Sequence, residues 1–133
     1  MILELQRATH ATLQSLTAEL VDLDLTPSDL NALANLADGT PRTVSRLGAD
    51  VGTRPATLTG ILDRLERRGL ITRAMHPGDR RSVRIELTEA GAETAAQVRA
   101  AMDELERRAL AGLPPETLAA ALAVLAALTE ADR

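Results

Sequence analysis

The chain has 133 residues and a formal net charge of −4, uses arginine for all fifteen basic positions, and contains no Cys, Phe, Tyr or Trp. That length suits one compact core, the missing cysteine excludes disulfides, thiol switches and thiolate metal sites, and with only His10 and His76 a zinc site would have to lean on carboxylates. Charge is segregated, −5 over residues 1–40, +6 over 41–84 and −5 over 85–133, and a basic block inside an acidic chain is the electrostatic footprint of a module that lies against a polyanion.

The N-terminus places Glu4 where a secretory signal needs basic charge, which predicts a cytoplasmic chain. Leu13, Leu16, Leu20 and Leu23 recur at helical spacing and predict a first helix over about residues 2–22. Thr26-Pro27-Ser28-Asp29 supplies an N-cap hydroxyl, a proline suited to the first helical position and an acid three residues after the cap. A second helix follows to about Ala37, with Leu30, Leu33 and Leu36 inward, and Asp38-Gly39-Thr40-Pro41 breaks it. Thr43 caps a short third helix, Val44 to Val51, whose Val44, Leu47 and Val51 share a face and which Gly52 closes. Gly48 carries no side chain where the next helix must pass close by. Thr53 is expected to cap that fourth helix, which reaches Arg68 with Leu58, Ile61, Leu62 and Leu65 as one apolar stripe before Gly69 stops it.

After Gly69 the hydrophobic period falls from helical to two-residue alternation. Leu70–His76 and Ser82–Leu87 read as two strands joined by a turn, Pro77 to Arg81, with a basic tip. Thr88 caps a long helix to about Leu110 with Ala95, Val98, Met102 and Leu105 on one face, and Gly112-Leu113-Pro114-Pro115 interrupts the chain. A final helix over about Glu116–Glu130 is expected to bury Leu118, Leu122, Leu125 and Leu128. The longest apolar run, Leu118–Leu128, has eleven residues, against the roughly 20 that a membrane helix needs, so no membrane partner is expected.

Two short helices joined by a tight glycine turn and followed by a hairpin with arginines at its tip make a winged helix-turn-helix. A helix about 10 Å across fits the major groove of DNA, and a hairpin beside it reaches the minor groove, where negative potential favours arginine. On the fourth helix the face opposite the apolar stripe presents Ala56, Thr59, Gly60, Asp63 and Arg67, flanked by Thr57 and Arg64. Ala56, Thr57, Thr59 and Gly60 are the candidates for base contact, with Arg54 and Arg64 placed for phosphates or base edges and Thr43 joining them from the third helix. The same positions also read as ordinary exposed helix surface. Asp63 and Arg67, four residues apart, read as a surface ion pair worth about 0.3–0.5 kcal/mol. At the tip, Arg80 and Arg81 read as contacts to the minor groove or the backbone, with Asp79 orienting Arg81 by a charge-assisted hydrogen bond.

The segments LTPSDLNALANLADG, TVSRLGADVG, RPATLTGILDRLERRGLI, GDRRSVRIELT and TEAG together resemble the multiple-antibiotic-resistance regulator (MarR) family of dimeric bacterial transcription factors. The resemblance implies a mostly α fold with a small β-hairpin wing, one domain over residues 1–133, with the winged lobe over 26–88 and dimerisation helices over 1–25 and 89–133. It implies a DNA-binding regulator, read as a repressor, in which Asp79-x-Arg81 is the wing motif whose arginine enters the minor groove. Apolar stripes on the terminal helices, too wide for one winged module to cover, independently predict a homodimer, and isologous pairing predicts an inverted-repeat operator in double-stranded DNA. Relatives often release DNA on binding a small-molecule effector. Here Arg7 and His10 on the first helix are the only long polar groups to nominate for that role, and an exposed or locally satisfied role is the other reading of both. Where many relatives carry arginine or another polar residue, this chain has Gly60, a change that weakens the helix by about 1 kcal/mol relative to alanine and removes a base contact. Gly60 and the acidic total charge support the alternative of a winged-helix protein-interaction module without DNA binding. No enzyme, cofactor or metal is expected, because no nucleophilic cysteine, His-acid cluster or phosphate-binding glycine loop is present.

Overall fold

The computed structural model describes residues 1–76 and 78–131, apart from the side chains of His76, Asp79, Arg80 and Arg81. By its contacts the chain divides into two compact units, Met1–Asp103 and Glu104–Arg133.

In the first unit, α1 (Ile2–Glu19) ends earlier than its leucine spacing suggests, and a 3₁₀ turn at Val21–Leu23 takes over. Asp24 then turns the chain with a left-handed φ of 51°. The second helix, α2 (Pro27–Leu36), starts on a complete capping box. The Asp29 amide donates to Thr26 Oγ1 at 3.1 Å and the Thr26 amide donates to Asp29 Oδ2 at 3.2 Å, so two otherwise orphaned donors are satisfied reciprocally. Next comes β1 (Arg42–Thr43), then α3 (Val44–Val51), α4 (Pro55–Arg67), β2 (Ile71–His76), β3 (Asp79–Leu87) and α5 (Glu89–Leu110).

The apolar stripe of α4 is buried as its spacing predicts: Leu58, Ile61, Leu62 and Leu65 pack with Ala32, Leu33 and Leu36 of α2, Leu47 of α3, Ile71 and Ile85 of the sheet, and Ala95 of α5. Each such leucine or isoleucine contributes about 1.5–3 kcal/mol on burial. A neighbouring cluster of Leu30, Ala34 and Val98 gathers Leu20, Leu23, Leu25 and Met102. Gly48 sits where an added Cβ would lie 3.3 Å from Leu58 Cδ2, in keeping with a close helix approach. Gly91 is tighter still, since a Cβ there would lie 1.8 Å from the carbonyl oxygen of Leu70. The first turn of α5 is thereby pressed onto the start of the wing.

Four expectations are corrected. The sheet has three antiparallel strands, in the order β1-β3-β2, rather than two; β1 pairs Arg42 with Ile85 and Thr43 with Arg84, and a two-residue strand is too short to show a period. The fourth helix is capped by Arg54, not Thr53. Pro55 fixes φ for the first helical position, and the Thr53 amide is already taken by the Gly48 carbonyl at the end of α3. β3 begins at Asp79, so Arg80 and Arg81 belong to the strand rather than to the turn. Finally, Val44 is exposed on the first turn of α3, while Leu47 alone of its predicted face is fully buried.

The second unit contains the end of α5 and α6 (Pro115–Glu130). Its charged surface is laced by Arg107 and Arg108, both paired with Glu104. The expected burial of Leu118, Leu122, Leu125 and Leu128 is not met within one chain: no α6 residue is buried, and Leu122 and Leu125 are 65% and 42% exposed. Periodicity marks a face that suits burial, but it does not say whether the cover comes from the same chain.

Candidate nucleic-acid interface

The turn between α3 and α4 is made by Gly52 at a φ of 72°, which a residue with a Cβ adopts only with strain. It sends α4 off with its stripe inward and its other face outward. On that face Arg54, Ala56, Thr57 and Thr59 are exposed, and Gly60 is partly exposed. The Arg54 side chain makes no hydrogen bond or ion pair with the described residues. Thr59 Oγ1 donates back to the Pro55 carbonyl at 3.0 Å, which keeps its methyl and hydroxyl close to the helix. At Gly60 an added Cβ would meet only Arg64 Nη1, at 3.5 Å. The first half of α4 is therefore a smooth outward surface with one uncommitted cation at its start.

Thr43 is committed differently. Its Oγ1 accepts from the Arg46 amide at 3.1 Å, capping α3 as expected, while its backbone joins the sheet opposite Arg84. The hydroxyl thus already serves the fold at the position nominated for DNA. Arg64 is also engaged, donating to Asp29 Oδ1 at 2.9 Å, although its side chain stays 43% exposed. Asp79, Arg80 and Arg81 lie on the β3 backbone, and their side chains fall outside the described residues.

Sequence reasoning missed a bridge between α4 and the wing. Arg73 of β2 donates to both carboxyl oxygens of Glu66 at 3.1 Å and to Asp63 Oδ1 at 2.9 Å. Asp63 therefore pairs with Arg73 rather than with Arg67, whose Nε donates to the Asp63 backbone carbonyl at 3.3 Å. The contact spans ten residues of sequence, outside the local spacing that suggested the other pair. Hydrogen bonding from Arg73 holds the Glu66 carboxyl below its ordinary value, and the Arg73 guanidinium is in turn held protonated by Glu66 and Asp63. A comparable tie fixes β1: Arg42 donates to Asp38 Oδ2 and the Thr40 carbonyl, both at 2.7 Å, and lies 3.8 Å from Asp50. The pairing with Asp38 lowers that carboxyl and raises Arg42.

On α1, Arg7 and His10 are exposed, and Arg7 pairs with Glu4 one turn away. Neither lines the cavity of about 620 Å³ that opens between α2 and α5, whose walls include Ala34, Asn35, Arg42, Ala96, Arg99 and Asp103. Among the described residues, no helix is long and apolar enough to cross a membrane.

Comparison with known proteins agrees with this geometry. A family model described as MarR family matches residues 25–83, the span from the α2 cap into the wing. The HTH-type transcriptional repressor MdtR of Bacillus subtilis (strain 168) is 28% identical over 132 residues, covering 96% of this chain and 85% of that protein. A probable transcriptional regulator from Pseudomonas aeruginosa, solved by crystallography, is 31% identical over 96% of both chains with a TM-score of 0.72. The crystal structure of NadR in complex with 4-hydroxyphenylacetate superposes with a TM-score of 0.87 at 25% identity, covering 96% of this chain and 90% of that one.

Proposed function

We propose, given that the chain belongs to the MarR family of transcriptional regulators, that it represses transcription as a homodimer bound to an inverted-repeat operator. The observation that carries this reading is the outward face of α4, where Arg54, unpaired among the described residues, stands beside Ala56, Thr57 and Thr59 inside a block of charge +6. Small side chains let a helix approach base edges closely, and Arg54 at its start suits a phosphate or a guanine. Arg80 and Arg81, with Asp79, supply the minor-groove arm of the same reader. Gly60 completes the close-approach surface without reading a base itself. Thr43 offers its position at the start of α3, where a backbone phosphate passes.

Duplication follows from the uncovered apolar faces. Met1, Ile2 and Leu3 on one unit and Leu113, Leu122, Val124 and Leu125 on the other are exposed in the single chain, an arrangement that a second copy relieves. The winged lobe is then residues 26–88, and residues 1–25 and 89–133 form the dimerisation region. Two copies of α4 would enter successive major grooves about 34–36 Å apart. The protein acts in the cytoplasm and catalyses no reaction. A small carboxylate effector fits the same reading: NadR was crystallised with 4-hydroxyphenylacetate, and the cavity between α2 and α5 has Arg99 at its wall.

The deciding experiment is selection of bound fragments from the protein's own genome, followed by affinity measurements across a salt series. An operator reader retains discrete inverted repeats, and its log affinity falls linearly with log salt as phosphates are neutralised. A winged module that binds only proteins retains none and shows no slope.

A further inference from the structure

Sequence nominated Arg64 as a DNA contact, yet its partner is Asp29, which is only 2% exposed. Arg64 Nη2 and Nε reach the two Asp29 oxygens at 2.9 and 3.5 Å. The same carboxylate closes the capping box of α2. A guanidinium that left for a phosphate would strand a buried charge, which is strongly unfavourable. One turn further along, Arg68 donates to the carbonyls of Leu23 and Asp24 at 2.7 and 2.6 Å, gripping the end of the 3₁₀ turn beside the left-handed Asp24. Two arginines four residues apart thus hold one short junction, residues 23–29, between α1 and α2.

We infer that Arg64 and Arg68 are positioning residues, which anchor α4 to the α1–α2 junction and set the angle at which Arg54, Thr57 and Thr59 meet DNA. The inference rests on the proposed function, in that α4 is taken as the reading helix. It also names a direct route by which movement at the junction turns that helix.

Asp29→Asn separates the two roles, because it keeps an oxygen for the cap and removes the charge that holds Arg64. If Arg64 touched DNA, freeing it would leave binding intact or improve it. As an anchor, its release weakens binding. With a genomically selected duplex as probe, Asp29→Asn and Arg64→Gln are each expected to weaken binding about tenfold, and the double variant to lose no more than either single change. The salt slope should match the wild type, whereas losing a phosphate contact would lower it by about 0.9. Arg68→Gln should behave like Arg64→Gln, and these two carry the test if Asp29→Asn does not fold.

Hydrogen exchange of the free protein supplies a readout that needs no DNA. Amides in the second half of α4 should exchange faster in Arg64→Gln and Arg68→Gln, with those of α5 unchanged. A wild type that binds no duplex while its variants loosen α4 overturns the DNA reading and leaves the anchor standing. Unchanged exchange in both variants, or normal binding by Asp29→Asn together with a lowered salt slope for Arg64→Gln, overturns the inference itself.

Discussion

Gly91→Ala tests the tightest of the glycine contacts, between the first turn of α5 and the start of the wing. The new Cβ would lie 1.8 Å from the Leu70 carbonyl oxygen and 2.8 Å from its carbon, both backbone atoms that cannot swing aside. Restoring van der Waals separation needs a shift of about 1.5 Å, and overpacking of this kind is destabilising by about 1–3 kcal/mol or more. The same shift disturbs the Thr88 amide donating to the Leu70 carbonyl at 3.0 Å and the Thr88 hydroxyl donating to the Gly69 carbonyl at 2.6 Å, a further loss of about 1 kcal/mol. Helix propensity acts the other way by about 1 kcal/mol, so the net expectation is a destabilisation of about 1–3 kcal/mol. The chain has no aromatic residue, which rules out intrinsic fluorescence, so urea unfolding should be followed by far-UV circular dichroism at one fixed protomer concentration. Gly60→Ala is the control: its Cβ meets only Arg64 Nη1 at 3.5 Å, and the variant should be as stable as the wild type or more so. A Gly91→Ala midpoint indistinguishable from the wild type would refute the packing argument.

Three further outcomes are expected. Arg54→Ala and Arg81→Ala should each weaken operator binding and lower the salt slope by about 0.9 without altering the urea midpoint; an unchanged slope for either would remove that residue from the DNA-contact set. Leu122→Glu places a charge on the open face of α6 and should shift the species seen by sedimentation toward monomer at micromolar protein, whereas a dimer as tight as the wild type would show that this face is not the seam. Glu66, its carboxyl lowered by hydrogen bonds from Arg73, should titrate below the ordinary carboxylate range by NMR and return to it in Arg73→Gln. Because the folded value is depressed, the bridge is complete above the unfolded value and is lost as pH falls through the folded one; coincident titrations in both proteins would sink this assignment.

What could be read directly was whatever chemistry is local. Thr26 and Asp29 stand three apart, so their capping box was visible in the string, as were the α4 stripe and the glycine stops at Gly52 and Gly69. The capping preference alone misplaces the α4 cap, because Thr53 is the better capping residue in isolation and Pro55 decides the matter through its fixed φ. Contacts across sequence left no trace to follow: Asp29 with Arg64 spans 35 residues, and Arg68 with Leu23 spans 45. For Asp63, spacing pointed to Arg67, while the wing strand supplied Arg73, since the hairpin folds back over the end of the helix. The leucines of α6 mark an apolar face, but a lone sequence does not encode which molecule covers it.

Gly60 leaves the middle of the outward face of α4 bare, with only Nη1 of Arg64, whose Nε and Nη2 hold Asp29, near its missing side chain. A methyl group fits there in ordinary van der Waals contact, and alanine strengthens the helix by about 1 kcal/mol. On the proposed reading of α4, this is the position where a small side chain can be added toward the bases without loss of stability.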